Sequence, residues 1–166
     1  MDPSGLQFCA YYSNYAWGAV QRGYRVDAGG RLSTFDHSAG PQAPLQAGQW
    51  ISRADLEALT GDRVSFKESL AADELERWRR LGSRAAVQEP GEPRSICADA
   101  GTYAYAVLVP EGEGFRIRFV YQTGDWRRIP APADAEELKG LMVQRALRHQ
   151  IAFELVPGGP NWCSGM

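Results

Sequence analysis

A chain of 166 residues with 44% hydrophobic and 23% charged residues has the makeup of a globular protein, able to bury roughly 70% of its unfolded surface without a cofactor. These proportions exclude a disordered chain or a coiled coil, and a formal net charge of −2 argues against a general nucleic-acid binder, which carries a strong positive excess. No apolar run reaches the roughly 20 residues that span a bilayer, so no membrane insertion is expected. Met1-Asp2-Pro3-Ser4 opens without a basic segment and an apolar core, which places the chain as written in the cytoplasm, or in the periplasm if a signal has been removed.

Aromatic residues crowd the opening (Phe8, Tyr11, Tyr12, Tyr15, Trp17), and the chain then enters Gly23-Tyr24-Arg25-Val26-Asp27-Ala28-Gly29-Gly30-Arg31-Leu32. Asp and Gly tolerate the positive φ of a two-residue hairpin, so this segment predicts strand, tight turn, strand. Residues 38–49 are rich in Gly, Pro and Ala and read as a loop. Ser52 ahead of Ala54 to Leu59, with Gly61 beyond, carries the signals of a short capped helix. A second helix is predicted from about Ser69 to Leu81, with Ala71, Leu75 and Trp78 on one face and Gly82 as its stop. Two prolines and a glycine make residues 88–95 a connector.

Thr102 to Val109 carries apolar or aromatic residues on both parities, the pattern of a central strand covered on both faces. A turn at Pro110 to Gly114 leads into a second strand, where Phe115, Ile117, Phe119 and Tyr121 alternate with Arg116, Arg118, Val120 and Gln122, one face to a core and one to water. Ala133 to His149 predicts the third helix, and residues 157–166 form an irregular tail. The order β-β, α-α, β-β, α lacks the alternation of a doubly wound nucleotide-binding fold. It predicts an α+β fold: one antiparallel sheet of at least four strands with about three helices packed on one face, in a single domain over residues 1–166.

Candidate chemistry is sparse. His37 and His149 are the only histidines and no paired-cysteine spacing occurs, so no metal and no cofactor is expected. His37 follows Asp36, which would orient its ring, and otherwise reads as an exposed loop residue; His149 in the last helical turn suits the helix dipole. A thiol nucleophile needs a base, and Cys97 beside Asp99, just ahead of the central strand, is the best-placed thiol if either histidine approaches it. The plainer reading makes Cys97 a small buried hydrophobe or half of a disulfide with Cys163.

Arginines carry more weight for binding. Arg116 and Arg118 share a strand face, Arg127 and Arg128 follow Trp126, and Arg25 and Arg31 belong to the first hairpin with Arg22 nearby. Together they describe a basic, aromatic-flanked surface for an acidic protein, a nucleic-acid strand or an anionic ligand, or simply a solubilised sheet face.

Ser13-Asn14-Tyr15-Ala16-Trp17-Gly18 followed by Gly23 to Gly30, and Cys97-Ala98-Asp99-Ala100-Gly101 followed by Gln122-Thr123-Gly124-Asp125-Trp126, resemble segments of small uncharacterised bacterial proteins, some of them lipoproteins. The resemblance implies a bacterial source and two hairpins as the framework, and it implies no activity. The expectation is a non-catalytic protein-binding domain, of which an immunity or inhibitor protein is the commonest kind at this size. The alternatives are a small enzyme using Cys97 with a histidine, or a single-stranded nucleic-acid or anionic-ligand binder on the arginine-rich face.

Overall fold

The computed structural model describes residues 2–14, 20–36, 45–60, 65–87, 94–95, 101–127, 133–149 and 151, with backbone alone at 59–60, 94–95 and 126–127. A 3-10 turn at Pro3–Gly5 precedes β1 (Gln7–Asn14), β2 (Val20–Val26), β3 (Arg31–Asp36), β4 (Trp50–Ser52), α1 (Arg53–Thr60) and β5 (Ser65–Ser69). There follow α2 (Ala72–Ala86), β6 (Arg94–Ser95), β7 (Thr102–Glu111), β8 (Gly114–Gly124), β9 (Trp126–Arg127) and α3 (Ala133–Arg148). Seven strands form one antiparallel sheet in the order β4-β8-β7-β1-β2-β3-β5, and β6 pairs with β9 separately. The fold is α+β, built on the two hairpins β2–β3 and β7–β8.

Local chemistry explains the reversals and caps. Asp27 closes the first hairpin: its N–H donates to the Arg31 carbonyl at 3.1 Å, and its Oδ1 accepts from the Gly29 and Arg31 N–H groups, each at 2.9 Å. The loop holds three residues, Ala28 to Gly30, rather than the two expected, and Gly30 adopts φ of +83° in the last position. That is the three-residue hairpin whose final residue must enter the left-handed region. Ser52 caps α1 as predicted, accepting from the Asp55 N–H at 3.0 Å while its hydroxyl donates to the Asp55 carboxylate at 2.6 Å.

Strand periodicity then builds two cores. Phe8, Ala10 and Tyr12 of β1, with Tyr105 and Val107 of β7, face α2 and α3, where Leu75, Trp78, Leu81, Leu138 and Met142 cover them. Cys9 and Tyr11, with Ala104, Ala106 and Leu108, face the other way, toward Leu45, Ile51 and Leu56 of α1. Two of the three helices therefore lie on one face, while α1 covers part of the other. β1 stands in the middle of the sheet and is buried on both sides, and β7 beside it shows the two-sided pattern foreseen.

Further features depart from the sequence reading, among them the short strands β4 and β6, the latter within the expected connector 88–95. Gly82 lies inside α2, which runs on to Ala86. It is a packing glycine rather than a stop: a Cβ there would lie 2.8 Å from Phe8 Cε1, and that ring is fixed edge-on to Trp78 at a centroid distance of 5.2 Å. In β8 the pairing passes from Tyr105↔Tyr121 to Ala106↔Phe119, leaving Val120 as an extra residue. This bulge turns Tyr121 onto the α2–α3 face while Phe115, Ile117 and Phe119 keep the other, so the strand does not hold one core face along its length. Finally, β5 was not foreseen, because Ser65-Phe66-Lys67-Glu68-Ser69 has neither clean alternation nor β-branched residues.

Helices and edge are tied by charge. Arg145 of α3 binds Glu74 of α2 and Glu68 of β5, and His149 Nε2 lies 2.9 Å from Glu68 Oε1. The Tyr24 hydroxyl donates to the Met142 carbonyl at 2.7 Å, joining β2 to α3. Burial works to raise the Glu68 pKa, but the His149 hydrogen bond and the charge and hydrogen bonds of Arg145 outweigh it and hold the carboxyl below its ordinary value.

These contacts generate stability tests by urea titration. Gly82→Ala is expected to lower unfolding free energy by about 1–3 kcal/mol through overpacking, although alanine favours helix. Gly140→Ala, with nothing within 4 Å of the added Cβ, is expected to raise it by up to about 1 kcal/mol in the same urea titration. A carboxyl whose folded pKa is depressed stabilises above its unfolded pKa and loses that contribution as pH falls through the folded one. Stability of the wild type should therefore drop on acidification through the carboxylate range, and Glu68→Gln should flatten that drop. At neutral pH, Arg145→Met should cost roughly 2 kcal/mol.

Candidate functional site

Sheet register decides which arginines can act together. Arg116 pairs with Val109 and Arg118 with Val107, so both stand on the α2–α3 face of β8. Arg25 pairs with Cys9 and with Ser33, which places it on the opposite face, with β7 and β1 between its strand and β8. Arg31 shares that face with Ser33 and Phe35 by strand alternation. Arg22, one residue off, turns back to the helix face and lies 5.8 Å from the Tyr12 ring centroid. The arginines singled out from sequence thus belong to two separated groups. Trp126 and Arg127 are placed by backbone in β9, while Arg128, His37, Cys97, Asp99 and Cys163 lie outside the described residues, as does any Cys97–Cys163 bond.

The β8 group is largely occupied within the fold. Arg116 grips Glu111 with two hydrogen bonds, at 2.6 and 2.9 Å, and donates a third to the Gly48 carbonyl at 3.0 Å. The Arg116 hydrogen bonds, with the charges of Arg116 and Arg118, hold the Glu111 carboxyl below its ordinary pKa against the opposing effect of desolvation. Trp50, 43% exposed, donates its indole N–H to the Glu111 carbonyl at 3.1 Å, so this cluster pins the β7–β8 turn to β4. Arg118 is half-buried beside it.

The hairpin group is different. Arg25, Asp27, Arg31, Ser33, Phe35 and Glu57 line a hollow of about 270 Å³ on the α1 side of the sheet. Neither guanidinium makes an ion pair or side-chain hydrogen bond with a described residue, in contrast to Arg77, Arg84, Arg116, Arg145 and Arg148. The Arg31 guanidinium instead lies 4.6 Å from the centroid of Phe66, a ring left 49% exposed at the sheet edge. Such an exposed cation–π contact contributes about 0.5–1 kcal/mol and holds the charge outward.

A one-residue bulge makes this arrangement. β5 pairs Ser33 with Phe66 but Leu32 with Glu68, leaving Lys67 as the extra residue. In an unbroken strand Phe66 and Glu68 share a face; the bulge sends Phe66 to the Arg31 side and Glu68 to the helix side, where Arg145 and His149 meet it. Sequence reasoning missed Phe66 for this reason, since strand alternation alone gives no sign of an unforeseen strand's bulge, while Ser33 and Glu57 lie in expected elements that only the fold brings to the hollow. His149, a candidate base for thiol chemistry, is engaged with Glu68 in the ion cluster.

Among the described residues no group of three His, Cys, Asp or Glu side chains could hold a metal ion, and no helix is long and apolar enough to cross a membrane. No protein-family model matches the chain, and no curated protein matches it. Cys9 is the one described cysteine. Burial pushes its thiol up to about 12, with the nearby Arg25 charge acting weakly in the other direction. A thiol so protonated is a packing group rather than a nucleophile. In a Cys97→Ser/Cys163→Ser variant, Cys9 should stay unmodified by a thiol-reactive dye in the native protein and react only on unfolding. Labelling at a rate that does not follow unfolding would contradict its burial.

Proposed function

We propose that this chain is a non-catalytic protein-binding domain, of the kind represented by bacterial immunity and inhibitor proteins, which meets an acidic partner on the β2–β3–β5 side of its sheet. One observation carries the reading: Arg31 stacked on exposed Phe66, next to an Arg25 that has no ionic partner among the described residues. Arginine and aromatic residues dominate the energetic centres of interfaces, because each combines area with directional hydrogen bonding at modest entropic cost. Arg77, Arg84, Arg116, Arg145 and Arg148 are engaged in ion pairs within the fold, whereas Arg25 and Arg31 line one shared hollow. β5 adds an edge whose outer side pairs with no described strand, and Lys67 on it guards against indiscriminate strand addition.

Affinity capture from the native host tests the reading. Wild-type protein is expected to retain a stoichiometric protein partner, and Arg25→Glu/Arg31→Glu to bind it at least about thirty-fold more weakly. Arg118→Glu serves as a control on the other face, matched in charge change to each of the single variants Arg25→Glu and Arg31→Glu. Recovery of no stoichiometric protein, or equal loss in the control, would overturn the assignment.

A further inference from the structure

We infer that the hollow between Arg25 and Arg31 is an oxyanion-binding site, taking the carboxylate or phosphate groups of an acidic ligand. The inference rests on the proposed interface for its setting but makes a separate claim about chemistry. Arg25 faces Ser33 directly across the β2–β3 ladder, and Arg31 is two residues from Ser33 on the same side of β3. Diagonal neighbours of this kind lie about 7–8 Å apart at the backbone, and both residues line the same hollow. The Ser33 hydroxyl between them adds a donor, and each guanidinium offers about five N–H donors in a fork matched to carboxylate or phosphate oxygens.

Two carboxylates also border the hollow, and their positions define what it accepts. Asp27 is turned to the backbone, its Oδ1 filled by the N–H groups of Gly29 and Arg31, and it forms no ion pair with either guanidinium. Glu57 stands on α1 across the hollow and has an interaction of its own. Among the described residues, neither of the two cations that line the hollow is neutralised by an ion pair. Buried Phe35 supplies an apolar wall, which lowers the local dielectric and strengthens the attraction for a bound anion. The cavity volume of about 270 Å³ suits a glutamate side chain or a small diacid rather than a nucleotide.

The source of the oxyanion is resolved by three probes titrated into isotope-labelled protein in low-salt buffer: inorganic phosphate, sodium glutarate and hexaglutamate. Saturable amide shifts confined to residues 25–35 are expected, weakened at least about tenfold in Arg25→Gln and in Arg31→Gln and unchanged in Arg118→Gln. Glu57→Gln, which removes a repelling charge, is expected to tighten binding a few-fold. Tighter binding of hexaglutamate than of glutarate assigns the site to the acidic side chains of a docking protein, and the reverse order to a free acid. If no probe gives a saturable shift in well-dispersed wild-type spectra, or if both arginine variants bind as the wild type does, the oxyanion site is refuted. That failure is distinct from failure of the protein-binding reading, which captured partner and its loss in Arg25→Glu/Arg31→Glu decide independently.

Discussion

β1 has no solvent face, and the architecture follows from the need to cover both sides of it. Phe8 and Ala10 point one way, Cys9 and Tyr11 the other, and all four are fully buried. One side is closed by α2 and α3 through Trp78 and its edge-on contact with Phe8; the other by Leu45, Ile51 and α1. Burying side chains of that size contributes about 1.5–3 kcal/mol each, so a strand buried on both faces weighs more than any single surface contact. Gly82 belongs to the same constraint: the helix must come close enough for Trp78 to reach Phe8, and a side chain at position 82 would hold it off.

Several polar groups around this double core find partners that tie its elements together. The buried Tyr24 and Tyr11 hydroxyls each donate to a carbonyl, of Met142 and Leu45, and so join strand to helix and strand to loop. Arg145 with Glu68 and Glu74 occupies a partly buried corner where β5, α2 and α3 meet, a place where an unpartnered charge would be costly. Against that economy, Arg25 and Arg31, which make no ion pair among the described residues, are a local departure. Departures from full satisfaction concentrate at sites that meet something outside the fold. The same bulge at Lys67 serves both ends, delivering Glu68 to the stabilising corner and Phe66 to the open face.

Much of the framework was legible in the residues themselves. Asp27 to Gly30 marks a reversal, Ser52 and Asp55 mark a helix start, and the two-sided apolar run from Thr102 marks an interior strand, because each is governed by neighbours within a few positions. Where the reading departed from the structure, distant contacts decided. Gly82 looks like a helix terminus until Phe8, far away in sequence, is brought against it. The regular alternation from Phe115 to Tyr121 cannot show that Val120 is inserted, since a bulge is defined only by the partner strand. The candidate site was half legible: Arg25 and Arg31 stood out as basic residues on a hairpin, whereas Phe66, Ser33 and Glu57 come from three elements that only the fold assembles.

By itself the sequence determined the α+β composition, the two hairpins and the helices, because hydrophobic period, turn residues and caps act over a few residues. Tertiary structure decided the order of the strands, the face each arginine occupies and which charges find partners. The physical reason is that a strand's side chains alternate locally, but whether a given face meets a helix, a neighbouring carboxylate or solvent depends on pairing between segments far apart in the chain. Arg116 and Arg25 are alike in sequence, each basic and each on a hairpin strand; one is held by Glu111, while the other makes no ion pair with a described residue and lines a hollow.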